Sequence, residues 1–272
     1  MDMIYDIRTT ETATKTLCSL TGVPLQVWEE YVGREEEYQY AENMVEHIID
    51  TYGKCPNDYR DFDFIYFHVT TSANECTSFR KHGILDLQQS YNCHDSELRM
   101  FLEKHGIYIN LDKRTLTYRG YDFDISYGRC PKREDSKEYY CWAIGRKFYY
   151  DYTTCGFLSV WERNPYGGQV HRRPEILFDI DNLLKLDLSG EWESTHRPYE
   201  ITVKVSGSKI VYDGDDDYSD KEKVVDFLTK AYLTAFGSPF ERVLLIKNHV
   251  QIPSSDIMEI KPLEHWKAWI AE

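Results

Sequence analysis

The chain has 272 residues, enough to bury a sizeable core as one large domain or two small ones. Asp and Glu outnumber Lys and Arg by 46 to 32, a formal charge of −14 that repels a generic nucleic-acid backbone unless a local basic groove exists. Seven cysteines, an odd number without any Cys-x-x-Cys pair, argue against a disulfide framework and a zinc ribbon. Cys93-His94, with His82 and His105 nearby, matches no closed zinc spacing, so no metal is expected.

The apolar runs are short, and the opening MDMIYDIRTTE has neither a basic head nor a long apolar middle. A cytoplasmic protein with no membrane partner is expected.

Residues 25–51 place Val27, Tyr31, Tyr38, Met44, Val45 and Ile48 near helical spacing, as a helical pair or one long helix. The region to residue 58 is read as a helical accessory layer, and residues 59–272 as the main domain. FIYFHVTTSAN, from Phe64, is an apolar strand ending in an imidazole and hydroxyls. Ser72 or Asn74 can cap the short helix that follows, and Gly83 ends it. A second helix in DSELRMFLEKHGI starts at Asp95 or Ser96 and stops at Gly106.

IYINLDKRTLTYRGYDFDISY alternates around Asp112-Lys113 and Arg119-Gly120, as hairpins do. GRCPKREDSKE is a loop. From Tyr139 to Trp161 the content of Tyr, Phe and Thr leads into CGFLSVW, another apolar strand. ERNPYGGQVHRRP is a loop punctuated by Pro and Gly and decorated by Arg, His and Tyr. EILFDI and YEITVKV read as strands. DKEKVVDFLTKAYLTAF is a helix that Asp220 can cap, and FERVLLIKNHVQIPSSDIMEI gives a strand, a turn and a second strand. Without a βαβ rhythm or a glycine-rich phosphate loop, the expected class is α+β with antiparallel sheets.

Two stretches resemble the ADP-ribosyltransferase superfamily of the diphtheria-toxin and poly(ADP-ribose) polymerase type. His68-Val69-Thr70 at a strand end, followed by RKHGILDL, is similar to its first motif. FERVLLIKNHVQI is similar to its third, with Glu241 opening a strand and Gln251-Ile252 beginning the next. HGIYIN gives a Gly-Ile-Tyr like that of the polymerase branch, in which Tyr108 takes the middle position; Tyr166 is a rival for it.

The resemblance implies split antiparallel sheets flanked by helices and NAD as co-substrate. It implies His68 and Thr70 on a ribose hydroxyl, Tyr108 or Tyr166 stacked on nicotinamide, and Glu241 on the 2′-hydroxyl and the cationic sugar. Arg80, Arg172 and Arg173 are candidate contacts to the pyrophosphate, although Arg173 could equally pair with Glu175 or a helix end. The implied function is mono-ADP-ribosylation of a macromolecular acceptor, protein or nucleic acid. The setting would be an intracellular bacterial toxin, in a toxin-antitoxin pair with a neutralising antitoxin, or a phage-defence effector.

The acidic balance favours a protein acceptor, and a groove of Arg129, Lys132, Arg133, Arg172 and Arg173 would favour nucleic acid. The competing readings are a non-catalytic module binding NAD or ADP-ribose, and a protein-interaction domain with a tyrosine-rich surface. Neither a nucleophile setting for Cys-His hydrolysis nor a Gly-x-Ser-x-Gly turn is present.

Overall fold

The structure is a computed structural model that describes residues 3–150, 153–160, 169–215, 217–237 and 240–264. It is mixed α and β, with antiparallel sheets and many helices. The chain divides into two units, one of Met1–His68, Cys155–Asn164 and Thr202–Ile246, the other of Val69–Thr154, Pro165–Ile201 and Lys247–Glu272.

The first unit begins with β1 (Met3–Asp6), α1 (Thr10–Thr21), α2 (Leu25–Tyr31) and α3 (Ala41–Tyr52). The helical reading of residues 25–51 thus resolves into a pair. β2 (Phe62–Ser72) starts in this unit, which also holds β6 (Cys155–Ser159), the end of β7 (Arg197–Ser206), β8 (Ile210–Val211), α10 (Asp220–Phe236) and β9 (Arg242–Ile246). The strands here run in the order β7, β2, β6, β9, β8, with β1 also on β2. β6 is antiparallel to β2 and to β9, whereas β1 lies parallel to β2, from Met3 beside Phe62 to Asp6 beside Ile65. That parallel pair departs from the expected antiparallel pattern, because three helices intervene and return the chain in the same direction.

The core of this unit is aromatic. Tyr5, Phe62, Phe64 and Phe227 are buried, with the Tyr5 ring 4.9 Å from Phe64 and Phe64 5.1 Å from Phe227. Such pairs each add about 0.5–1.5 kcal/mol beyond the apolar area they bury. The cap of α10 is Ser219 rather than Asp220. Ser219 Oγ accepts from Glu222 N while the Glu222 carboxylate accepts from Ser219 N, a reciprocal box that Asp220, one residue too late, cannot make.

The second unit holds α4 (Thr77–His82), α5 (Leu87–Asn92), α6 (Glu97–Lys104), β3 (Ile107–Asn110), β4 (Thr115–Tyr118), β5 (Tyr121–Asp124), α7 (Lys137–Tyr149), α8 (Glu175–Leu184), α9 (Leu188–Thr195) and β10 (Ile257–Pro262). β3, β4 and β5 form the expected meander; the positive φ of Arg119 (51°) and Gly120 (77°) matches a two-residue hairpin turn. Ser96 caps α6; before α4 the boundary residue is Cys76, in the left-handed region at φ 60° and without a side-chain cap bond. Asn74 Oδ1 accepts from Thr77 N at 3.1 Å and Ser72 Oγ from Cys76 N at 2.9 Å, so the expected side chains do serve the start of this helix.

Two segments differ from the sequence reading. EILFDI is not a strand but the start of α8, and the Tyr-rich segment from Lys137 is α7. In each, buried residues recur at helical spacing, Ile176, Leu177 and Ile180 in α8 and Tyr140, Cys141, Ile144 and Phe148 in α7. Pro174, with its fixed φ, stands at the start of α8. Both helices pack with Leu98, Phe101, Leu102, Ile107, Leu116 and Trp192 into the core of this unit.

Candidate functional site

β2 is apolar and buried on both faces from Phe64 to Phe67, with the half-buried Asp63 before this run and a polar residue directly after it. His68 stands there, half-buried. Its Nδ1–H donates to the Cys155 carbonyl at 2.9 Å, and since a carbonyl only accepts, this bond fixes the tautomer with the proton on Nδ1. Burial lowers the pKa of His68, partly offset by that carbonyl, so the ring is neutral at pH 7.

Phe67 pairs with Phe157, and Gly156 with Leu244, so His68 is level with Gly156 and then Leu244. Glycine is required at 156, since an added Cβ would lie 2.2 Å from the Tyr66 ring. Glu241 precedes β9 by one residue. Two strand spacings and three residue rises separate its Cα from that of His68, roughly 14 Å. It lies just beyond the register shift between Phe157 and Ser159, where strand alternation no longer fixes a side-chain direction. Glu241 Oε2 is buried and has no hydrogen-bond partner among the described residues; Tyr66 Oη, also buried in this unit, has none among them either. Burial raises the pKa of Tyr66 well above the ordinary tyrosine value.

The remaining candidates belong to the second unit. Thr70 is half-buried on β2. Tyr108 is 53% exposed on β3, opposite Thr117, and borders a shallow depression of about 390 Å³ with His105, Tyr118 and Arg119. Arg80 is exposed in the last turn of α4 and donates to the Glu75 carbonyl at 3.4 Å. Arg172 is committed to Glu193, donating to Oε2 through Nε (3.2 Å) and Nη2 (2.8 Å). Arg173 lies over the Phe178 ring at 5.1 Å, and burial lowers its pKa. Arg129, Lys132 and Arg133 are exposed in the loop before α7. Tyr166 lies outside the described residues.

His68, on β2, and Glu241, one residue before β9, are thus the two described candidates that fall in the first unit. The hydroxyls beyond His68 have a structural duty that the sequence did not reveal. Thr71 Oγ1 accepts from the Trp192 indole at 2.8 Å, while Ser72 Oγ (2.6 Å) and Ala73 N (2.7 Å) donate to Glu97. His196 stacks on Trp192 with ring centroids 3.5 Å apart, its Nε2 3.5 Å from Glu97. Partners 121 positions apart in the chain leave no local spacing signal for this clamp.

Among the described residues no helix is long and apolar enough to cross a membrane. Neither the protein-family models nor the curated proteins nor the solved structures contain a match to this chain.

Proposed function

We propose that this chain has an ADP-ribosyltransferase-like fold and is an NAD-dependent mono-ADP-ribosyltransferase acting on a macromolecular acceptor, as an intracellular bacterial toxin or phage-defence effector. The observation that carries the reading is one sheet in which β6 separates the strand of His68 from the strand that follows Glu241, with Glu241 Oε2 buried and without a partner among the described residues. A buried oxygen without a partner forfeits about 1–3 kcal/mol, which a ligand hydroxyl would return. The roughly 14 Å between the two Cα atoms suits side chains that hold one nucleoside between them.

In this reading the neutral His68 ring orients a ribose hydroxyl, and Glu241 binds the 2′-hydroxyl and stabilises positive charge on the sugar. The bond between nicotinamide N1 and ribose C1′ breaks, and its electron pair leaves with nicotinamide. The acceptor's nucleophilic atom bonds to C1′ and passes its proton to the Glu241 carboxylate. Tyr108 and Thr70 enter through the motif resemblance alone, and Arg80, Arg172 and Arg173 as guanidinium donors suited to a pyrophosphate, a role that for Arg172 requires release from Glu193.

The test is incubation of the full chain with NAD labelled on its adenine half and bacterial lysate. Covalent label on a macromolecule and an equivalent release of nicotinamide are expected, with both lost in Glu241→Gln while NAD still binds. Sensitivity of the label to protease or to nuclease identifies the acceptor class, and the acidic chain favours protein. NAD binding without release of nicotinamide would instead indicate a non-catalytic binding module.

A further inference from the structure

Eleven positions separate His82 from Cys93, and the spacing fits no closed zinc pattern, yet the fold gathers three different donor types there. His82 ends α4, while Cys93 and Asp95 occupy the turn between α5 and α6. One ligand atom each from His82, Cys93 and Asp95 lie within 4.8 Å of one another, and all three residues are half-buried. The turn is held by its own backbone, Cys93 N donating to Ser90 O at 3.1 Å and Ser96 N to Cys93 O at 3.2 Å. The His82 end is held by Gln251, whose Nε2 donates to the His82 carbonyl at 2.6 Å.

We propose that His82 Nε2, Cys93 Sγ and a carboxylate oxygen of Asp95 form a three-ligand site for a zinc-class divalent cation, with a fourth position for water. Ligands at about 2.0–2.3 Å around a tetrahedral ion stand roughly 3.3–3.8 Å apart, so the cluster need close by only about 1 Å. His82 Nε2 is already 2.9 Å from Asp95 Oδ1 and 3.1 Å from Oδ2. A donor set of nitrogen, sulfur and oxygen selects a borderline metal over calcium or magnesium, which take oxygen alone.

The groups that face the site set its proton balance. Lys81 Nζ donates to Asp95 Oδ2 at 2.7 Å, beside the contact that His82 Nε2 makes to the same carboxylate. Metal entry expels the Cys93 thiol proton, moves the imidazole proton from Nε2 to Nδ1 and displaces the Lys81 ammonium, which keeps its own proton. Affinity therefore rises with pH and is opposed by Lys81.

The experiment is titration of the full chain with cobalt(II), read by sulfur-to-cobalt charge-transfer absorption, followed by displacement with zinc. One equivalent should generate the band, and zinc should abolish it. Cys93→Ser should remove the band, and His82→Gln should weaken binding by at least about tenfold. Both variants should keep the wild-type circular dichroism. Lys81→Gln, which removes the competitor without touching a ligand, should tighten binding. Absence of the band, its survival in Cys93→Ser, or an unchanged affinity in Lys81→Gln would overturn the proposal.

Discussion

Asp179 presents a sharp energetic test of the second unit. It lies on the buried side of α8, 9% exposed, and accepts no hydrogen bond among the described residues. Loss of water around the carboxylate raises its pKa from 3.8 to about 6, with Glu175 adding to the rise and Lys147, Arg146 and Arg173 opposing it. In the unfolded chain the group ionises at its ordinary value. Between pH 3.8 and about 6 the folded protein therefore holds the proton more tightly, and stability falls as pH rises through that window. The full difference is about 3 kcal/mol at 1.36 kcal/mol per pKa unit.

Asp179→Asn keeps the shape and removes the charge. The variant should match the wild type near pH 4 and exceed it above pH 6.5, by up to about 3 kcal/mol. The assay is urea denaturation at pH 4.5 and at 7.5, followed by hydrogen exchange of α7 and α8 so that the second unit is read by itself. From pH 4.5 to 7.5 the wild type should lose about 2 kcal/mol relative to Asp179→Asn. An equal difference between the two proteins at both pH values would refute the assignment of this cost to the buried carboxylate.

Three further substitutions probe packing and polar satisfaction. Gly145→Ala in α7 should destabilise by about 1–3 kcal/mol in thermal melts, reversing the usual helical gain of about 1, because the new Cβ would meet the Ile125 carbonyl oxygen at 1.9 Å. Thr71→Val removes the acceptor of the buried Trp192 indole and should cost about 1–3 kcal/mol in urea, with an accompanying change in tryptophan fluorescence. Tyr66→Phe deletes a buried hydroxyl that has no partner and should leave the ligand-free chain as stable or up to about 1 kcal/mol more stable by calorimetry.

The sequence was most legible where structure is local. The two hairpin turns, α6, α10 and the strand of His68 follow from period, caps and turn residues within a few positions of one another. EILFDI was not legible because a six-residue stretch with four apolar residues is too short to show a period of its own; Pro174 before it and Asn182-Leu183-Leu184 after it extend it to the length of a helix. The role of Thr71 and Ser72 was hidden for another reason. As hydroxyls beside His68 they suit a sugar, but the residues that claim them, Trp192 and Glu97, come into reach only after α6 and α9 have packed. The His82, Cys93 and Asp95 cluster likewise arises from the placement of two short helices.

The same contrast bears on His68 and Glu241. Hydroxyls beyond His68 that have partners are already used by the fold, so they add little weight to a ligand site. Polar atoms without partners carry more, because desolvation has been incurred and none of the described residues offsets it. Glu241 Oε2 and Tyr66 Oη are both of this kind, and both lie in the unit that holds His68. Their common deficit makes ligand binding and stability separable. If a polar ligand completes them, Tyr66→Phe should gain stability without NAD and give up part of the stabilisation that NAD confers on the wild type. Equal stabilisation of the two proteins by NAD would assign the Tyr66 hydroxyl to the fold's own strain and leave Glu241 as the sole unsatisfied oxygen for which a sugar hydroxyl is invoked.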